Sequence, residues 1–517
     1  MSLKKATFTI ASFTLLSRII GFIRECVMAS LLGAGMCADA LLVALRLANT
    51  FRRIFAEGAF NASFLPRFSK ILNQDGQEEA NVVLADIFWT LLLATSIFSA
   101  IVLMFFPSIL SIIVSGFDIL SAKFQLTVEL GRICFPYLIL ISLSSLFAGV
   151  LNSVDRFAMS AAVHSLMSLF TITGLICGYF YDLSQVATVR LLSWVVLLSG
   201  GAQLCALYIS ARNYGFRLAL RWSLSQQVKD VMKNMIPGIV GAGVWQLNIL
   251  VDTIISSHFP TGSITCINLA DRLVQFPLGT LGIAFSTALL PTLSKHICLR
   301  EYDKASEVLR DGILTASFFS LLATSVLLAL DRQTVAVAFQ RGLFQQEQVR
   351  VTADVLVGLS IGLPAFMLTK ILSSMYFAVG DTKTPVIFGV CSVVINVICI
   401  GLFVPFKKYL GIALGTSLSA MANAFLLLRF SPEHIKIEVN KNFVTKISTQ
   451  LCAAIIVYFL LDKLSNIFWT PEIGNLEIKW FVYAGFAAAA VAVFVIITFL
   501  EQLFNYLATL FNIAKNN

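Results

Sequence analysis

Charge is scarce in this chain. Only 13% of its 517 residues are Asp, Glu, Lys or Arg, while 58% are hydrophobic, and the mean hydropathy is +0.86. That balance excludes a soluble globular domain of this length. Short alternating segments are also missing, which excludes a β-barrel, whose spans would be about 10 residues of alternating polarity. Paired metal-ligand spacing is absent. The ten cysteines are scattered without a CxxC, and Cys26, Cys134, Cys177, Cys391, Cys399 and Cys452 fall inside apolar runs, where Cys acts as a small hydrophobe. Neither a disulfide framework nor a metal cluster is expected. His164, His258, His296 and His434 form no group. No GxSxG, P-loop or HExxH motif is present, and no extramembrane segment could hold a catalytic domain, so an enzyme is not expected. The net charge of +9 does not imply nucleic acid, because the basic residues lie mostly in short loops.

What the chain does have is apolar runs of the roughly 20-residue length a bilayer demands. The expected fold is an all-α polytopic membrane protein. Its about fourteen spans run near 8–32, 36–62, 82–108, 126–151, 158–181, 187–212, 234–258, 264–292, 308–330, 351–379, 384–404, 410–430, 444–462 and 480–510. The first run is too long for a signal peptide and holds Arg18 in its middle, so it reads as a retained helix. Basic loop residues such as Arg67, Lys70, Arg212, Arg217, Arg221, Lys229, Lys233, Lys295, Arg300 and Lys304 fall on the side of Lys4 and Lys5. This bias predicts both termini in the cytoplasm.

An internal repeat organises the spans. The segment 58–70 resembles 283–295, with Phe60, Leu65, Pro66, Ser69 and Lys70 matching at an offset of 225. Pro136 with Ser144-Ser145 and Pro364 with Ser373-Ser374 form a second pair. The expectation is two pseudo-symmetric six-helix lobes, 1–215 and 234–430, in parallel orientation, with two C-terminal helices (443–510) outside the repeat. The basic stretch 216–233 reads as a cytoplasmic amphipathic linker at the membrane interface.

The scarce charges sit in awkward places. Spans 1 and 2 carry Arg18, Arg24, Arg46, Arg52 and Arg53 against Glu25, Asp39 and Glu57. Each ionised side chain facing lipid would cost roughly 2.5–3.5 kcal/mol. Ion pairing explains the acids as readily as a ligand does, but five arginines exceed three acids. The surplus predicts a water-filled cationic cavity whose guanidinium forks suit phosphate or carboxylate. Arg18 and Glu25 share a helix face, with Gly21 between them leaving room for a neighbour or a ligand. Asp271 and Arg272 lie in span 8. Asp252, four residues from Asn248, suits either a cation or a polar helix contact. Asp381-Thr-Lys-Thr-Pro385 reads as a turn and cap.

These residues carry a resemblance. Ser17-Arg18-Ile-Ile-Gly21-Phe-Ile-Arg24-Glu25, Gly33-Ala-Gly35 with Ala38-Asp39-Ala40, and Asn49 with Phe51-Arg52-Arg53 resemble the MurJ (MviN) family. So do Ala270-Asp271-Arg272-Leu273 and Asp381-Thr382-Lys383-Thr384-Pro385. These are lipid II flippases of the multidrug/oligosaccharidyl-lipid/polysaccharide exporter superfamily, acting in peptidoglycan biosynthesis in the bacterial inner membrane. The resemblance implies alternating access and a cationic cavity for the head group of lipid II. The cavity would be built from Arg18, Arg24, Glu25, Asp39, Arg52, Arg53 and Arg272. It implies a groove at the last two helices for the polyprenyl tail. Partners would be lipid II, membrane lipids and cell-wall synthesis proteins, with the protein itself a monomer. No cofactor is implied. The drive would be the membrane potential or sodium, with Asp252 and Asp381 as counterparts of a sodium site but no full ligand set. Glu25 stands where the family commonly has Asp, and Gln275 where relatives carry an acid. The alternatives are a flippase for another polyprenyl-diphosphate glycan, a multidrug exporter, whose pocket should be acidic, and a non-transporting scaffold, which should lack surplus internal charge.

Overall fold

A computed structural model describes residues 3–54, 59–432, 435, 440–469 and 476–516. Glu57, His434 and Lys436 therefore lie outside the described residues. Among the described residues every regular element is a helix, and nine helical segments are long and apolar enough to cross a membrane. The chain divides by contacts into two units. One holds residues 1–265 and 341–345, the other 266–340 and 346–517.

The first unit contains α1 (Leu3–Leu32), α2 (Met36–Arg52), α3 (Ala59–Gln74), α4 (Gly76–Met104), α5 (Phe106–Ile113), α6 (Ala122–Cys134), α7 (Tyr137–Ser153), α8 (Phe157–Ala162), α9 (His164–Phe180), α10 (Gln185–Asn213) and α11 (Gln226–Ser256). α12 (Ser263–Pro277) leads into the second unit. There follow a π segment (Leu278–Gly282), α13 (Ile283–Cys298), α14 (Tyr302–Ala329), α15 (Asp331–Phe339), α16 (Gln346–Ala378), α17 (Lys383–Arg429), α18 (Lys441–Phe468) and α19 (Leu476–Asn516).

The repeat is visible element by element. α2 leads through a π turn at Arg53–Ile54 toward α3, and α12 leads through its π segment into α13. α3 and α13 each carry an internal proline, Pro66 and Pro291. A long helix and a short one follow in each copy: α4 and α5, then α14 and α15. Several expected spans are subdivided. Span 4 breaks at Phe135–Pro136 into α6 and α7, where proline cannot donate to the helix ladder. Spans 11 and 12 are the two arms of α17, which turns back on itself at Lys408 (φ 43°), so that the Ser392 hydroxyl donates to the Ser419 carbonyl at 3.0 Å. α16 and α17 pack through small residues, Gly358 and Gly362 against Ala413 and Ser417, and the Ser417 hydroxyl donates to the Gly358 carbonyl at 2.7 Å. Van der Waals fit of this kind drives helix association where lipid is as apolar as the core. The stretch 214–225 between α10 and α11 is irregular rather than helical.

Candidate functional site

The charged stretches of α1 and α2 are held apart. α1 packs on α8 and α9, and α2 on α6, α7 and α10; among the described residues the two share no extended contact. They diverge from a tight turn at Gly33 (φ +63°), where any side chain would strike the backbone of Leu343.

On α1, Arg24 Nη2 donates to Glu25 Oε1 at 2.6 Å. Glu25 is buried and Arg24 half-buried. Arg18 is half-buried seven residues before Glu25. Gly21 between them faces the Ser168 hydroxyl of α9 at an ordinary van der Waals distance, so the room it leaves goes to a neighbouring helix. On α2, Arg46 Nη1 donates to the Thr253 hydroxyl of α11 at 2.7 Å. Arg52 Nε donates to Asn49 Oδ1 at 3.1 Å. Arg52 and Arg53 are both half-buried, and Arg53 sits on the π turn. A π turn widens the helix and re-aims the side chains on it, and such turns recur at functional sites.

Asp39 is placed differently from the arginines. It has no exposed surface. Oδ2 accepts from Lys123 Nζ at 2.8 Å and from the Gly262 amide at 2.7 Å. Oδ1 accepts from the Thr265 amide at 3.0 Å and the Thr265 hydroxyl at 2.7 Å. The carboxylate thus caps the N-terminus of α12, where free amides and the helix dipole favour negative charge. Lys123 Nζ also lies 4.1 Å from the ring centroid of Phe117. With both oxygens engaged, Asp39 fixes the ends of α2, α6 and α12. The sequence reading did not single out Lys123. Its partner is 84 positions away, and no local spacing reports that.

Arg272 is half-buried on α12, in the second unit. Beside it Gln275 Nε2 donates to Asp271 Oδ2, one turn earlier. An acid at 275 would repel Asp271; the amide binds it. Asp252 is half-buried on α11 in the first unit. Asp381 lies in the turn before α17 in the second, where it accepts from the amides of Lys383 and Thr384, each at 3.0 Å. The Thr384 hydroxyl and amide, with the Lys383 amide, hold its carboxyl below the usual range. This is the helix cap expected from its sequence. Among the described residues no group of three or more His, Cys, Asp or Glu could hold a metal ion.

Half-buried guanidiniums on two separated helices are the residue type and setting that suit an anion. Comparison with known proteins places the chain in a family. The family model described as "Lipid II flippase MurJ" matches residues 28–476. A probable lipid II flippase MurJ of Rhizobium meliloti (strain 1021) is 34% identical over 505 residues, covering 96% of this chain and 94% of its own. That of Rickettsia prowazekii (strain Madrid E) is 34% identical over 452 residues, covering 86% and 88%. Among solved structures, a lipid II flippase MurJ in an inward closed conformation superposes with a TM-score of 0.79 at 20% identity, covering 96% of this chain and 99% of that one. An inward-facing MATE multidrug transporter gives 0.69 at 12% identity, covering 86% and 98%. The structures establish the fold; the family model and the relatives establish that the chain belongs to the lipid II flippase MurJ family.

Proposed function

We propose that this multi-pass protein carries lipid II across the bacterial inner membrane by alternating access, as a transporter and not an enzyme, with both termini in the cytoplasm. The observation that carries the reading is the pair of separated helices α1 and α2, whose half-buried Arg18, Arg24, Arg52 and Arg53 suit a diphosphate. Arg272 joins them as a head-group contact, and Glu25 and Asp39 set the orientation of the cationic groups. The helices α18 and α19 take the polyprenyl tail, and 216–233 is a cytoplasmic linker between the two six-helix lobes. The membrane potential favours outward movement of negative charge by about 2.3 kcal/mol per charge per 100 mV; sodium through Asp252 and Asp381 is the other candidate drive.

The test replaces the native protein by variants in cells depleted of it and measures lipid II accessible at the outer leaflet. Arg24→Ala and Arg52→Ala should abolish exposure without loss of protein from the membrane. Arg52→Lys should also impair it, because Lys keeps the charge but loses the fork. Normal exposure with Arg24→Ala, Arg52→Ala and Arg272→Ala would overturn the reading.

A further inference from the structure

The irregular segment 214–225 is strapped to α4, mostly through its own backbone. Gln77 Nε2 donates to the Tyr214 carbonyl at 3.1 Å, and Asn81 Oδ1 accepts from the Arg217 amide at 3.1 Å. Trp89 Nε1 donates to the Ala219 carbonyl at 3.0 Å. Trp222 Nε1 donates to the Thr90 hydroxyl at 3.2 Å, and the Ser223 amide donates to Asp86 Oδ1 at 3.0 Å. The strap climbs from Gln77 to Thr90 and turns back at Asp86, a rise of about 20 Å along the helix.

That height decides where the tip lies. Residues 87–104 of α4 contain no Asp, Glu, Lys or Arg, so the hydrocarbon-spanning stretch begins at Ile87. The strap's tip, bonded to Trp89 and Thr90, is level with the first turn of that stretch. Irregular backbone at this depth is tolerated only where its polar groups are satisfied, and α4 supplies those partners.

The two faces of the strap differ. Inward, Phe216 is buried against Phe68. Outward, Leu220 is 95% exposed, Trp222 56% and Leu224 55%. Arg217 and Arg221 flank the tip on the exposed side, with Arg212, Lys229 and Lys233 nearby. In the stretch 212–233 these five basic residues face a single acid, Asp230, which pairs with Arg67. A brace needs the inward anchors only. Arg221 Nε lies 3.9 Å from the buried Asp86 Oδ1, yet the Arg221 side chain stays 58% exposed. Exposed apolar side chains among exposed cations that outnumber the acids are the composition of a segment lying in an anionic leaflet.

We propose that the strap is an interfacial lipid-binding element. Leu220, Trp222 and Leu224 insert at the hydrocarbon boundary, and Arg217 and Arg221 take the phosphates of anionic phospholipids. The proposal rests on α4 spanning the membrane. The full-length protein is placed in nanodiscs of phosphatidylcholine, with or without phosphatidylglycerol, and Trp222 emission is taken as the difference between wild type and Trp222→Phe. Chains brominated near the glycerol should quench that difference signal, while aqueous iodide should not. Phosphatidylglycerol co-purifying with the protein should bind about fivefold more weakly for each arginine removed in Arg217→Gln and Arg221→Gln. Trp194, well inside α10 and 54% exposed, is the control, read in the same way from Trp194→Phe with chains brominated nearer the bilayer centre. Loss of Trp222 quenching while Trp194 is still quenched overturns the strap proposal alone. Loss of both overturns the membrane span and the proposal with it. Undiminished phosphatidylglycerol binding by the double arginine variant overturns the phosphate contacts.

Discussion

α4 and α14 hold corresponding places in the repeat, 225 residues apart, yet they are surrounded differently. On α14, Phe318, Leu322 and Val326 pack into a cluster with Ala453, Val457 and Leu461 of α18 and Phe486, Ala490 and Phe494 of α19. Their counterparts on α4, Leu93, Ile97 and Ile101, are 45%, 52% and 53% exposed. Nearer the helix start the contrast reverses. Asp86 is buried beneath the strap, and its counterpart Asp311 is exposed. The repeat supplies equivalent helices; the segments outside it decide which surfaces meet lipid and which carboxylate is buried.

The most severe way to break this contrast is to make α14 resemble α4. A chain ended after Lys441 exposes Phe318, Leu322 and Val326 to lipid, a medium as apolar as the packing it replaces. The remaining helices should stay folded, while transport of the full-length lipid is lost. Thermal unfolding and lipid II exposure, measured on the same variant, check the two halves of that expectation; normal transport would show that α18 and α19 do not serve the tail.

Next in size is Asp39. The position 225 residues on is Ile264, buried and apolar, so only the first copy carries a carboxylate here. Asp39→Ala strands Lys123 and two amides, and should cost about 3–5 kcal/mol. Adding Lys123→Met should recover part of the loss. A double variant no more stable than Asp39→Ala in chemical unfolding would mean that the pair is not coupled.

Asp86→Ala should be milder, about 1–3 kcal/mol, because it leaves the Ser223 amide unpaired. Its specific signature is faster hydrogen exchange across 214–225, with α4 itself unchanged. The smallest effect belongs to Asp311→Ala, at most about 0.5 kcal/mol, as for exposed positions in general. If the two aspartates gave equal losses, burial beneath the strap would not be what distinguishes them.

Much of this was legible in the sequence. Helix type followed from apolar run length, and the repeat from the shared proline segments at 58–70 and 283–295. The cap at Asp381 followed from its neighbours. The cost of charge in lipid singled out Arg18, Arg24, Arg52 and Arg272, all of which the fold leaves half-buried. Other features were not legible. Sequence spacing put Gly21 on the face of Arg18 and Glu25, but only packing showed that α9 fills the room it leaves. Gln275 read as lost charge, whereas the fold makes it a donor to Asp271.

The sequence by itself determined that this is a helical membrane protein whose first two spans carry more arginines than acids, since hydropathy and charge cost act on each segment independently of its neighbours. Tertiary structure alone decided that Asp39 meets Lys123 and the α12 amides, and that Asp86 lies beneath a strap while Asp311 stays exposed. Those outcomes depend on pairings across 84 to 226 positions, and no local pattern encodes which distant donor reaches a given carboxylate.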